Sequence, residues 1–179
     1  HPGTCILHEA VFSRPSGKGN FVALEYRPNV EITDEEYPIL LMTGRRLIHY
    51  HATMTRKVEI LNILMSEEEF RINPADAAPL GIKTGDMVQV ASRQGEVKVR
   101  AIVTMQVPPG VAHMAFHFAE TPTNELISAD PATLDPVTGT PAYKTCPIKA
   151  RKIEPATAGD KIKSLLFRAT QDTAYANLL

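Results

Sequence analysis

The chain has 179 residues and 44% hydrophobic content, enough for one compact domain plus extensions. Its formal net charge of −1 gives no electrostatic reason to expect nucleic acid or an anionic membrane as a partner. No window reaches the apolar length that spans a bilayer, so a soluble chain without direct membrane insertion is expected.

The chain opens at His1-Pro2-Gly3 without a charged-then-apolar leader, which fits a piece cut from something longer. Residues 1–37 read as a lead-in from a preceding domain. Ala10–Phe12 and Phe21–Tyr26 are β-prone runs flanking a Ser/Gly/Pro-rich loop, and Pro28 with the acidic stretch Glu31–Glu36 marks a linker. A first core strand is predicted over Pro38–Thr43. A second, short strand is predicted over Phe70–Ile72, followed by a helix start at Asn73-Pro74-Ala-Asp76. There Asn73 caps free amides, Pro74 suits the first helical position and Asp76 faces the positive end of the dipole.

Leu80-Gly81 closes that helix and Lys83–Asp86 is a turn. Met87–Ser92 alternates with Val88 and Val90 on one face. Arg93-Gln-Gly95 reverses the chain, and Val97, Val99, Ala101 and Val103 continue the period of two. Val107–Gly110 is another turn before a strand over Val111–Phe118. A polar loop over Ala119–Pro141 leads to a last strand over Tyr143–Ile148. The compact region therefore spans 38–153, and short strands with frequent Pro/Gly corners predict a mainly β fold with short helices, a small barrel with crossovers. In the tail, 154–179, Ile162, Leu165, Leu166 and Ala169 share one helical face, which predicts a partly helical, surface-docked segment.

The chemistry concentrates at Thr43-Gly44-Arg45-Arg46-Leu47-Ile48-His49-Tyr50-His51, directly after the first core strand. A strand that ends in a small residue, then glycine, then arginines suits a loop that meets an anion. The backbone comes close at Gly44, and Arg45 can fork onto phosphate oxygens. His49 and His51 alternate sides in an extended chain and have no nearby Cys or carboxylate cluster to complete a metal shell. They fit donors to a ligand's oxygens or satisfied core histidines. His117 lies between Phe116 and Phe118, and aromatic packing is its default reading. Asn124 caps a loop or reads a base or pterin edge; Tyr143 and Lys144 offer a hydroxyl and an ammonium. Cys5 and Cys146 are far apart, match no metal spacing or disulfide framework, and are compatible with a reducing cytoplasm. No nucleophile elbow, phosphate-binding P-loop or paired-carboxylate arrangement is visible.

Several segments, in one order, carry a resemblance. They are residues 37–46 and 49–56, Arg71–Ala77, Gly81–Val90, Ser92–Val97 and Val107–Val111. Phe116–Glu120, Asn124–Leu126, Leu134–Pro136 and Tyr143–Cys146 complete the set. Together they resemble the C-terminal, molybdopterin-dinucleotide-binding domain of the molybdopterin oxidoreductases, and most of all that of formate dehydrogenase large subunits. The resemblance implies a six-stranded double-psi β-barrel that closes over two pterin guanine dinucleotides carrying one molybdenum or tungsten. It places Thr43, Gly44, Arg45, Arg46, His49, Tyr50, His51, Thr53, Met54 and Thr55 on the cofactor loop, and His117, Asn124, Tyr143 and Lys144 on the later loops that complete the surface.

The catalytic metal ligand and the iron–sulfur cysteines of such enzymes belong to earlier domains. No catalytic residue is therefore expected here, and the fragment alone is expected to be inactive on formate. The implied partners are the preceding domains of the same subunit and electron-transfer subunits. The implied location is cytoplasmic, or periplasmic where a twin-arginine signal precedes the segment. The alternatives are the equivalent domain of a nitrate reductase and a stand-alone double-psi barrel interaction module.

Overall fold

The computed structural model describes residues 6–23, 25–26, 28–50, 54–160 and 162. Six strands close a barrel: β1 (Ile39–Gly44), β2 (Glu69–Ile72), β3 (Met87–Ala91), β4 (Glu96–Val103), β5 (Val111–Ala115) and β6 (Cys146–Glu154). Their order around the barrel is β1-β5-β2-β4-β3-β6. The pairs β1–β5 and β2–β4 are parallel and the other pairs antiparallel. Each parallel pair requires a crossover, and the two crossovers make the double-psi arrangement.

Alternation fills the interior. Ile39, Leu41 and Thr43 of β1, Phe70 and Ile72 of β2, and Val88 and Val90 of β3 are buried. So are Val97, Val99 and Ala101 of β4, Ala112 and Met114 of β5, and Cys146, Ile148 and Ala150 of β6. The outward positions of β3 and β4 carry Gln89, Glu96 and Lys98, as a half-solvated sheet demands.

Closure gives the barrel two rims. Strands β1, β3 and β5 end, and β2, β4 and β6 begin, at the same rim. The β1–β2, β3–β4 and β5–β6 connections therefore lie there. The opposite rim is stitched by polar caps. The Asn73 side chain accepts from the Ala75 amide at 2.9 Å, as its capping position predicts, and donates to the Val107 carbonyl at 2.7 Å. Asp76 accepts from the Gly110 amide at 2.7 Å. Asp86 accepts from the Lys83 and Ala156 amides at 2.8 Å each; these bonds and Lys152 hold its carboxyl below the usual range although burial opposes them.

The structure differs from the sequence expectation in four places. The described residues of 10–26 form turns and non-strand backbone, so the β-prone runs flank a loop rather than a hairpin; Phe12 and Gly17 close that loop at 3.0 Å and Phe21 is left exposed. The strand predicted over Val111–Phe118 stops at Ala115, where the Thr123 hydroxyl takes the Ala115 carbonyl at 2.6 Å. The last strand begins at Cys146 rather than Tyr143 and runs on to Glu154, because β3 pairs with it as far as Glu154. A helix absent from the sequence reading, α1 (Glu59–Leu64), lies within the β1–β2 connection and buries none of its residues. The single-turn α2 (Pro74–Ala77) starts where Asn73 predicts. Most of the predicted tail helix falls outside the described residues.

Candidate functional site

The rim holding the β1–β2 and β5–β6 connections gathers the described candidate residues. Gly44 and Ala115 face each other in the parallel β1–β5 register. Arg45 follows the first of these, and Asn124 follows Thr123, which is bonded to the second. The Thr43 amide and hydroxyl both donate to the Tyr143 carbonyl, at 3.0 and 2.6 Å, and the Lys144 ammonium donates to the Thr43 carbonyl. One strand end, one loop and one turn are thus tied into a common surface. Arg45 and Asn124 are exposed on it, and neither side chain makes a hydrogen bond or ion pair among the described residues.

Gly44 has a reason different from the one its sequence context offers. A Cβ there would collide with the ring Nε2 of His113, so the missing side chain makes room for an imidazole packed across β1. His113 was not among the sequence candidates. Burial, aided by the positive fields of Arg46, Arg71 and Lys144 and opposed by Glu68, pushes its pKa from 6.5 to about 4. The ring is therefore neutral at physiological pH, with three cations around it.

That depression carries a stability prediction. The fold favours neutral His113, so its contribution is present above about pH 6.5 and is lost as pH falls from there toward 4. At 1.36 kcal/mol per unit the gap amounts to roughly 3 kcal/mol at most, and less once solvent screening of a partly exposed ring is discounted. His113→Gln should flatten the acid limb of a stability–pH curve between 6.5 and 4. An unchanged slope in urea melts across that window would assign the limb to other groups.

The remaining candidates divide by burial. Arg46 turns inward, unlike its neighbour Arg45. Its Nη2 meets Glu68 at 2.5 Å and the Glu69 carbonyl at 3.0 Å, and its Nη1 meets Glu69 at 3.0 Å. Its work is to brace the loop, since both terminal nitrogens are committed to β2. Desolvation raises the Glu69 carboxyl despite Arg46 and Arg71 beside it. His49 is buried, with Nε2 2.8 Å from the Met65 carbonyl and Nδ1 3.3 Å from the Thr55 hydroxyl. It stacks on buried His117 at 4.3 Å, and the Phe118 ring meets both edge-on. These two histidines join the connections to each other, as core histidines would, and Arg56 adds an ion pair to Glu120 across the same seam.

Thr55 closes a turn with Tyr50, accepting its amide at 2.9 Å and donating to its carbonyl at 3.2 Å. Tyr50 and Met54 are exposed, and Met54 opens a 3₁₀ turn running to Lys57. His51 and Thr53 lie outside the described residues. Cys146 is buried with its thiol donating to the Leu126 carbonyl at 3.0 Å, and burial pushes its pKa up to about 12, which marks a structural residue. Beyond His113, sequence reasoning missed Glu68, Glu69 and Arg71. An acidic run before a short strand reads as solvated, and only its abutment on apolar Phe70 hints otherwise.

The fold and rim define a double-psi barrel that presents, at one end, an ammonium together with a guanidinium and an amide that make no side-chain bond among the described residues. These donors suit a ligand with phosphates and hydrogen-bonding ring edges. The chain belongs to the family described as the Molydopterin dinucleotide binding domain, whose pattern matches residues 39–147.

It is 44% identical over 153 residues to the F420-dependent formate dehydrogenase 2 subunit alpha of Methanococcus maripaludis, which covers 85% of this chain and 22% of the relative. It is 40% identical over 154 residues to the F420-dependent formate dehydrogenase subunit alpha of Methanocaldococcus jannaschii, covering 86% of this chain and 22% of that one. The chain thus spans about a fifth of the length of these relatives. Among solved structures, acetylene hydratase from Pelobacter acetylenicus shares the fold, with a TM-score of 0.57 and 21% identity over 66% of this chain and 19% of that chain.

Proposed function

We propose that this chain is the cofactor-binding C-terminal domain of a formate dehydrogenase large subunit, holding molybdopterin guanine dinucleotide. The observation that carries the reading is the meeting of Arg45, Asn124 and Lys144 on one rim, with the first two side chains unpaired among the described residues. When bound, a pair of such pterins with molybdenum or tungsten supplies the two-electron chemistry, and iron–sulfur centres elsewhere in the parent carry the electrons away. This chain's part is to bind and orient. Arg45 forks onto a phosphate, Lys144 adds charge from a fixed position on the Thr43 carbonyl, and Asn124 offers a donor and an acceptor to a ring edge. The donor set fits such a group, because the buried carboxylates at this rim, Glu68 and Glu69, are paired with Arg46 and Arg71.

The parent is read as cytoplasmic, and the fragment alone as inactive on formate. The preceding domains and electron-transfer subunits are the partners proposed. The apolar side chains of Leu47, Tyr50, Met54, Ile60 and Ile63, left exposed on the β1–β2 connection, support a covering partner there.

The test uses the full-length parent. Arg45→Ala removes one charge-assisted contact of about 1.5–3 kcal/mol, so bound pterin dinucleotide should dissociate roughly tenfold faster or more. Unchanged retention would favour a barrel that serves protein interaction instead. Formate-dependent dye reduction by the wild-type parent, with nitrate as the control substrate, separates the proposed enzyme from a nitrate reductase.

A further inference from the structure

One buried carboxylate oxygen ties together three chain segments at this rim. Glu68 is 1% exposed and stands immediately before β2. Its Oε1 accepts from Arg46 Nη2 at 2.5 Å, from the Ala115 amide at 3.0 Å and from the Glu69 amide at 3.1 Å. These donors belong to the loop leaving β1, to the last residue of β5 and to the first residue of β2. A charge in such a place is a poor way to gain stability, since well-packed apolar residues of equal volume serve as well or better. What a charged hub does supply is fixed direction.

The direction matters because of the residue next door. Arg45 and Arg46 are consecutive, and Arg46 points in while Arg45 is exposed. The two residues share one short stretch of backbone just beyond β1 and differ in burial, so anchoring Arg46 to Glu68 restricts the side from which Arg45 projects. The same oxygen holds the end of β5, whose Ala115 carbonyl is bonded by Thr123, the neighbour of Asn124. We propose that Glu68 is a positioning residue for dinucleotide binding, aiming Arg45 and the Asn124 loop at one ligand through the Arg46 guanidinium and the Ala115 amide.

This inference rests on the reading of Arg45 as a dinucleotide contact, and the experiment separates the two. In the full-length parent carrying its cofactor, the release of pterin dinucleotide would be followed by the fluorescence of its oxidised form. Four proteins are compared: wild type, Glu68→Gln, Arg45→Ala and the double variant. Glutamine keeps the shape and an acceptor oxygen but removes the charge that grips Arg46; if that variant fails to fold, Glu68→Asp takes its place, keeping the charge but drawing it one methylene back from Arg46. Glu68→Gln should speed release about tenfold in the wild-type background and less than twofold where Arg45 is already alanine, because glutamine still accepts from the Ala115 amide and keeps the Asn124 loop held, so the change acts through Arg46 on Arg45. A merely structural role predicts equal acceleration in both backgrounds, and that result overturns the proposal, as does no acceleration in either. If Arg45→Ala alone leaves release unchanged, the dinucleotide reading itself fails; if only Glu68→Gln is silent, the positioning claim alone fails.

Discussion

Arg46→Ala should destabilise the barrel by about 3–5 kcal/mol, the cost of stranding buried charge when one partner of an internal ion pair is removed. Two carboxylates are affected. Glu68 and Glu69 lie buried beside the guanidinium at 2.5 and 3.0 Å, and Arg71 stands 3.4 Å from Glu69. The loss should also depend on pH in a definite sense. Burial already raises the Glu69 carboxyl, with Arg46 the largest opposing influence, so deleting Arg46 raises it further. Protonation then removes the stranded charge, and the deficit measured by urea melts should be smaller near pH 5 than near pH 8. Combining Arg46→Met with Glu68→Gln should recover more than half of it, because glutamine still accepts from the Ala115 amide and the remaining carboxylate, Glu69, keeps Arg71. A deficit below about 1 kcal/mol at pH 8 would mean that water reaches these carboxylates and that the pair behaves as a surface bridge.

That pair also marks the boundary of what the sequence could disclose. Alternation at Val88, Val90, Val97 and Val99 and the cap at Asn73 are local signals, set by neighbours two to four residues away, and the structure reproduces them. The six-stranded double-psi barrel was legible through the motif series, and Thr43–Arg46, Asn124 and Lys144 lie at one of its rims. The roles within the site were not. The sequence singled out Arg45 as the anion contact but gave no sign that Arg46 turns inward, which arises from Glu68, returning to the rim 22 residues later. His113 reads as one more position on a strand, while its significance comes from β1 and β2 on either side, with Gly44 making space and Arg71 adding charge. For His49 the sequence left a ligand donor and a core histidine open, and for His117 it favoured aromatic packing; their stacking across two connections puts both rings in the interior. Helix α1 escaped notice because Val58 supplies no side-chain cap and none of the helix residues is fully buried. The end of β6 was missed although Lys149 and Arg151 alternate with buried Ala150; pairing with β3, a long-range choice, decides it.

Phe70→Ala should cost about 3–5 kcal/mol, the usual range for deleting a buried ring, by lost transfer energy plus a cavity. Phe70 is fully buried and is the one phenylalanine of the barrel's central cluster, on the strand that pairs in parallel with β4 through Ala101. The site has little freedom to collapse. β2 is held on one side by β4 and on the other by β5, and its neighbours in the cluster include Met114, Leu41 and Ile72, already fully buried. Methionine has the adaptability to fill part of the space, which places the expectation in the lower half of that range rather than above it. Phe70→Leu, which keeps most of the volume, should cost roughly 1–2 kcal/mol. The measurement is the urea midpoint at constant denaturant slope. Should alanine cost less than leucine, the interior is not packed around this ring and the closed-barrel account of the core fails. The change also discriminates between core and rim: Phe70 touches neither Arg45 nor the Glu68 hub through any hydrogen bond. In a variant still folded, ligand-directed geometry should therefore survive a loss of stability as large as that caused by Arg46→Ala, which strikes both at once.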